Sequence, residues 1–368
     1  MKKIAIDIRE TLAKKTGKGW YTFVLAKHLF KLSPETEFVL YTTTKNPEFE
    51  SFRNVRQVVI KARGFLWHLR ALGHLKKEKP DIYWAPTSFI IPALAPKSIT
   101  TVITVHDIVA FLFPQGHNRK AVFLERLTLR RALHKAAKIM VVSRNTKADL
   151  IKLFDIPEND IEVAPCSASA QFTTITDQKE LTKVRQKFNL PEQFLLGVGT
   201  LSPRKNFIRF IKAFNSLSEN YPDTHLVIVG NKGWNFDDVL KEGSRDKVHL
   251  IGYVEAEELV ALYNMAKVFV FPSLYEGFGI PPLEAMSCGC PVVTSNISSL
   301  PEVVGDSALL IDPYSTEEIA GAIGTLLSNP ELHQELSRKG LRQATKFSWG
   351  NSAKKLIEVF QNLHSTLK

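Results

Sequence analysis

The sequence has little cysteine, and that excludes two classes of protein. Only Cys166, Cys288 and Cys290 stand in 368 residues. Three cannot all pair, and Cys288 and Cys290 are too close in the chain for an ordinary bridge. No Cys/His spacing has the form of a zinc site. A disulfide-framed secreted scaffold and a structural zinc domain are therefore not expected, and a reducing, cytoplasmic setting is. Long apolar runs are also missing. "TSFIIPALAP" is short and broken by prolines, far from the ~18–20 residues of a membrane span. "MKKIAIDIRE" begins with basic residues, but acids interrupt its apolar run, so no signal peptide is expected. No aromatic–basic repeat or recognition motif points to nucleic acid.

What is present is an ordinary globular composition, 44% hydrophobic and 23% charged. A chain of 368 residues suits two domains, since single cores stop growing near ~250–300 residues. Charge is uneven. Residues 1–170 hold 28 Lys and Arg against 15 Asp and Glu, while the remainder holds 20 against 22. A basic first half suggests an anionic contact there, with nucleic acid, a bilayer surface or a phosphorylated substrate all satisfying the charge, unless the basic surface serves solubility alone.

Short apolar runs alternate with amphipathic stretches. In the first half the runs are "KIAIDI", "EFVLYT", "RQVVIK", "DIYWAP", "TTVITVHD" and "KIMVVS". In the second they are "FLLGVGT", "HLVIVG", "VHLIGYV", "KVFVFPS", "PVVTSN" and "SALLID". Helical patterns such as "GWYTFVLAKHLFKL" and "NFIRFIKAFNSLSENY" lie between them. The pattern predicts an α/β protein of two doubly wound, Rossmann-like domains facing each other across a cleft. The small, polar stretch "CSASAQFTTITDQK" sets the boundary, giving residues 1–170 and 171–352. Residues 353–368 are expected to form a helix that packs back on the first domain. Open α/β sheets bind ligands at the carboxyl ends of their strands, so the loops there matter most.

After the first run come Gly17 and Gly19, ahead of a helix whose N-terminus favours an anion. A dinucleotide fingerprint would need a third glycine where Thr22 stands. A plain loop explains the pair equally. His106 and Asp107 end "TTVITVHD". His106 either faces the cleft and a sugar hydroxyl, or is a structural histidine beside a helix-capping Asp. Arg204 and Lys205 stand together before a helix whose N-cap is expected at Asn206. A guanidinium fork and an ammonium at a helix start suit a diphosphate. The loops holding Gly230 and Tyr253-Val254 are strand-end positions suited to a base or ribose, although Gly230 serves equally as a simple turn.

"SLYEGFGIPPLEAMSCGCP" places Glu276 on a loop and Glu284 on the helix that Pro281 and Pro282 begin. Two acids so arranged suit acid/base chemistry, a metal, or a grip on hydroxyls. The intervening Gly277, Phe278, Gly279 and Ile280 offer backbone N–H groups. The acids need not touch.

In order and spacing, "GVGTLSPRKN", "GYV…LYNMA", "FPSLYEGFGIPPLEAMSCGCPVVTSN" and "LPEVVGDSALLIDP", with "VITVHD" and "VVSRNTKADL" before them, resemble glycosyltransferases of the GT-B fold, family 4. The likeness spans essentially the whole chain and is densest from Phe194 to Pro313. It implies a retaining hexosyltransferase that uses a nucleotide-sugar co-substrate and needs neither metal nor other cofactor; no D-x-D pair appears in the chain. It gives Arg204 and Lys205 to the donor diphosphate, Glu276 to the sugar hydroxyls, Glu284 to the ribose, and the 277–280 amides to sugar and phosphate. His106 would lie beside the donor sugar and Gly19 near the phosphates. "GTLSPRKN" with "GNKGW" is most similar to bacterial mannosyltransferases that use GDP-mannose in polysaccharide biosynthesis; a UDP-hexose donor is the alternative.

The acceptor implied is a glycan or lipid-linked glycan held by the first half. "GFLWHLRALGHLKKEKP" mixes Phe65, Leu66, Trp67 and Leu69 with Arg70, Lys76 and Lys77. It reads either as an interfacial helix at an anionic inner membrane face or as a helix packed on its own sheet. Two other classes compete: a GT-B sugar-nucleotide epimerase, and a non-enzymatic protein that binds anionic lipid.

Overall fold

Each of these apolar runs forms a parallel strand, and one further strand joins them. The computed structural model describes the chain except for residues 13–16, 115–118, 234–238, 240, 244–245 and 367–368. The chain divides into two units, Met1–Cys166 with Ser348–Lys368, and Ser167–Phe347.

The first unit holds β1 (Lys3–Asp7), β2 (Glu37–Thr42), β3 (Val55–Val59), β4 (Ile82–Ala85), β5 (Thr101–Val105), β6 (Lys138–Val141) and β7 (Ile161–Val163). Their order is β3-β2-β1-β4-β5-β6-β7, all parallel. Strand β7 is the addition to the sequence reading. Its three residues "IEV" carry too little periodicity to stand out, and pairing with β6 makes them a strand. Strand order reverses between β1 and β4, so the ligand crevice of this sheet is expected beyond their carboxyl ends. The helix Gly17–Leu32 buries Tyr21, Leu25 and Leu29, spaced one turn apart. The last helix, Trp349–Thr366, packs on it, with the Trp349 ring 5.8 Å from Tyr21, and sets Phe360 against Trp84.

The second unit holds β8 (Gln193–Val198), β9 (Thr224–Val229), β10 (Val248–Gly252), β11 (Val268–Phe271), β12 (Val292–Ser295) and β13 (Leu309–Ile311). Their order is β10-β9-β8-β11-β12-β13, again all parallel. Leu195, Ile228, Val270 and Val293 form its core with the helix Phe207–Leu217. That helix turns Phe207, Phe210, Ile211 and Phe214 inward, and each such side chain contributes roughly 1.5–3 kcal/mol on burial. Gly197 lets it sit close, because a Cβ there would lie 3.0 Å from the Phe207 ring. Here the order reverses between β8 and β11, and the loops after those two strands carry the charged residues singled out in the sequence.

Candidate active site

Strands β8 and β11 pair side by side, Val268 with Leu195 and Phe269 with Leu196. The turn Pro203–Lys205 follows β8, and the loop through Glu276 follows β11. Residues 71 or 72 positions apart in sequence therefore converge. Arg204 Nη1 lies 2.8 Å and Lys205 Nζ 2.6 Å from Glu276 Oε1. Ser273 Oγ donates to the same oxygen at 2.6 Å. Arg204 also donates to the Tyr275 carbonyl, and the Lys205 ammonium sits 4.5 Å from the centre of the Phe271 ring. Among the described residues, Glu276 Oε2 has no hydrogen-bond partner. Burial acts to raise the Glu276 carboxyl pKa, but Lys205 and then Arg204 more than offset this and hold it below the usual carboxylate range. Two cations against one carboxylate leave a net positive, preorganised patch at the switch point.

The turn that carries these cations is fixed from an unexpected side. Asn206 is at the helix N-cap position, as its place in sequence suggests, but its side chain caps nothing and its φ is 62°. Its Nδ2 instead donates to Pro272 O at 3.0 Å and Pro313 O at 2.7 Å, and Oδ1 accepts from Arg209 Nη1. One amide thus ties the loop after β8 to those after β11 and β13.

Beyond Glu276 the chain turns at Gly279, with φ 104°, where a Cβ would lie 2.7 Å from Leu300 Cδ2. The helix Ile280–Ser287 starts one residue before the prolines. Pro281 and Pro282 carry no N–H, so the anion-favouring groups at this end are the amides ahead of them. Phe278 is buried against Phe347. Glu284 lies in the second turn, half-buried, and its Oε2 accepts a 3.2 Å bond from the Tyr263 hydroxyl. Burial pushes its carboxyl up to about 7, against the lowering effect of Tyr263. No hydrogen bond or ion pair joins Glu276 to Glu284 among the described residues.

Gly230 has a packing reason to be glycine, since a Cβ there would fall 1.9 Å from Gly199 O. After β10, Val254 is buried, and Tyr253 is half-exposed with its hydroxyl 3.3 Å from Glu255 Oε2. Trp234 of the "GNKGW" stretch lies outside the described residues.

In the first unit, His106 directly follows β5 and is buried. Its Nε2 is 2.8 Å from the Pro86 carbonyl, which only accepts, so Nε2 carries the proton and Nδ1 is the acceptor. Burial, with help from Lys18, lowers its pKa to about 4, and the ring is neutral near pH 7. Asp107 Oδ1 accepts from Val109 N and Oδ2 pairs with Lys18 at 3.4 Å. The two glycines differ. A Cβ at Gly19 would meet Glu10 O at 2.2 Å, whereas Gly17 has nothing within 4 Å.

Sequence reading did not single out Ser273, Ser298, Ser299 or Tyr263. The serines are polar residues in strand-end loops, and Tyr263 sits at the buried position of a helical pattern. Neither signal carries a function without the partners the fold supplies.

Two family models match the chain: glycosyl transferases group 1 over residues 178–363 and glycosyltransferase family 4 over residues 16–171. O-antigen chain mannosyltransferase B of Escherichia coli is 35% identical over 323 residues, covering 85% of this chain and 82% of that protein. Serotype-specific mannosyltransferase WbdA, also of Escherichia coli, is 31% identical over 73% of this chain, which spans only 34% of that longer protein. The structure of a sucrose-phosphate synthase from Thermosynechococcus elongatus superposes over the full length of both chains with a TM-score of 0.79 at 20% identity, a likeness of fold.

Proposed function

The chain belongs to the group 1 glycosyltransferases and has the GT-B fold, and from that premise we propose that it transfers mannose from GDP-mannose to a hydroxyl of a glycan or lipid-linked glycan, with retention and without a metal ion. The observation that carries this reading is the convergence of Arg204, Lys205 and Glu276 at the switch point of the second sheet. The mannose donor is supported by relatives whose names are mannosyltransferases.

Departure of a nucleoside diphosphate leaves negative charge on its phosphate oxygens. Arg204, Lys205 and the amides before Pro281 stabilise that charge without having to reorganise. Glu276, kept ionised by its two cations, accepts hydroxyls of the donor sugar at Oε2. Glu284 accepts from the ribose, and the Tyr253-Val254 loop takes the base. His106, neutral and with its Nε2 proton committed to Pro86, offers Nδ1 to a sugar hydroxyl. The acceptor oxygen bonds the anomeric carbon on the face that the diphosphate leaves, and its proton passes to the departing phosphate oxygen. Arg204→Ala and Glu276→Ala each lower turnover by about tenfold or more with the fold retained. Wild-type turnover in both variants refutes the assignment. A thermal-shift series of nucleotide sugars tests the donor, because the true donor raises the melting temperature most at equal concentration; a larger shift with a UDP-hexose overturns GDP-mannose.

The acceptor's setting is an anionic membrane surface at the cytoplasmic face. Among the described residues no helix is long and apolar enough to cross a bilayer. The helix Gly64–Glu78 packs through Trp67, His68, Ala71 and Leu75 while leaving Phe65, Leu66 and Leu69 exposed. On the helix Arg119–Leu133, Phe123 is 69% and Leu127 60% exposed, near exposed Arg130 and Arg131. Apolar side chains set among cations suit anionic headgroups. Sedimentation with phosphatidylglycerol vesicles at low salt is expected for the wild type and reduced in Phe123→Glu/Leu127→Glu; failure of the wild type to sediment removes the membrane.

A further inference from the structure

The loop after β12 contains a backbone outlier that touches the site. Ser298 has φ 62°, in the left-handed region that a side chain with a Cβ enters at a cost. Such conformations persist where the surroundings over-determine them, and often at functional sites. The Ser298 hydroxyl accepts from the Glu276 N–H at 3.0 Å and donates to the Glu276 carbonyl at 2.6 Å. A hydroxyl has one proton to give, and here both its donor and an acceptor lone pair are used on one residue. Ser299 adds a second grip, its single hydroxyl proton shared between Phe278 O at 2.7 Å and Glu276 O at 2.9 Å. Ser299 occupies the N-cap position of the helix Leu300–Val304, yet makes no side-chain cap bond there. Both hydroxyls are therefore turned away from local duties and toward the loop after β11. Glycine or asparagine would serve a left-handed turn at lower cost, so the turn alone does not account for serine.

We propose that Ser298 is a positioning residue for Glu276: its left-handed backbone aims one hydroxyl at both backbone polar groups of Glu276 and so fixes the main chain from which the carboxylate reaches between the two cations and the donor sugar. This rests on the reading of Glu276 as the sugar-holding carboxylate. The arrangement is rigid because Ser295 Oγ also donates to Ser273 O, holding the start of the same loop.

The test uses the full chain and measures release of GDP from GDP-mannose with water as acceptor, together with melting temperature, for Ser298→Gly, Ser298→Ala and Glu276→Gln. Ser298→Gly removes the clasp and relieves the backbone. It is expected to lower kcat by about tenfold or more, because small displacements of a positioning group are costly, while its melting temperature stays level or rises. Ser298→Ala loses the clasp and keeps the strained backbone, so kcat and melting temperature both fall. A slow Glu276→Gln beside a Ser298→Gly of wild-type kcat overturns this inference alone. Wild-type release in Glu276→Gln overturns the donor-site reading, and the inference with it.

Discussion

Replacing Glu284 with glutamine should make this protein more stable at pH 8 and weaken its hold on the nucleotide. Burial lifts the Glu284 carboxyl from an unfolded-state value of 4.5 to about 7. A carboxyl raised in the folded state binds more protons folded than unfolded between those two values. Stability from this group is therefore greatest below about pH 4.5, declines as pH rises, and levels off above about 7. The span of about 2.5 units corresponds to on the order of 3 kcal/mol of destabilisation at pH 8. Glu284→Gln removes the ionisation and keeps an acceptor for the Tyr263 hydroxyl, now at 3.2 Å from Oε2. For a unit the size of Ser167–Phe347, each kcal/mol moves the melting temperature by roughly 2–4 °C. The assay is a pair of melting series from pH 4.5 to 8.5, wild type against Glu284→Gln. Other titrating groups are common to both proteins and largely cancel in the difference. The variant should gain several degrees at pH 8 and little at pH 4.5, while its GDP affinity falls at pH 8. A melting difference that does not change with pH refutes the account of burial. A variant that binds GDP as tightly as wild type at pH 8 removes Glu284 from the nucleotide site.

Three further outcomes are expected. Tyr263→Phe deletes the hydrogen bond that opposes burial at Glu284, so the pH midpoint of GDP affinity should move to a more alkaline value; an affinity lowered equally at every pH would show a merely structural tyrosine. Asn206→Ala leaves the Pro272 and Pro313 carbonyls without their shared donor and should cost about 2–4 kcal/mol in urea melts; a loss under about 0.5 kcal/mol contradicts the tie among the three loops. Gly19→Ala should lower the melting temperature of the first unit, since its Cβ would press on the Glu10 carbonyl at 2.2 Å, whereas Gly17→Ala, with open space, should not. Equal effects of the two substitutions overturn that steric contrast.

The strands were legible because parallel, helix-covered strands are apolar on both faces, and each apolar run in the sequence became one. Strand β7 was not, because three residues show no period until a neighbour pairs with them. Arg204, Lys205 and Glu276 stood out as charges in strand-end loops. Their convergence on a single oxygen did not, because it depends on β8 and β11 being neighbours, a property of strand order rather than of local sequence. Asn206 shows the limit most directly. Its position before a helix suggested a cap, and a left-handed backbone turned its amide to two distant carbonyls instead. The contrast between Gly17 and Gly19 was equally hidden, since only the turn at Glu10 distinguishes them.

The two glutamates that look alike in sequence are opposed in chemistry, and their surroundings decide it. Both carboxyls lose solvent, which by itself raises a pKa. Glu276 meets two cations on one oxygen and is held ionised, so at neutral pH it has no proton to give and is a poor base for one. Glu284 meets only a neutral hydroxyl and stays near the point of half-protonation at pH 7. Paired carboxyls pushed apart in this way often mark a general acid and a general base acting on one bond. That pattern needs both groups within reach of the reacting atoms. Here one acid is on the loop after β11, clamped by the turn after β8, and the other is a turn into the next helix, tied to a tyrosine on a third element. Separate tethers suit separate contacts along an extended ligand. Under the proposed donor-site reading the proton at Glu284 is coupled to nucleotide binding rather than to bond breaking, so binding of GDP near pH 7 should release protons in the wild type and none from this site in Glu284→Gln. Calorimetry in two buffers of different ionisation enthalpy measures that release, and equal proton release by the two proteins would return the pair to an acid/base role.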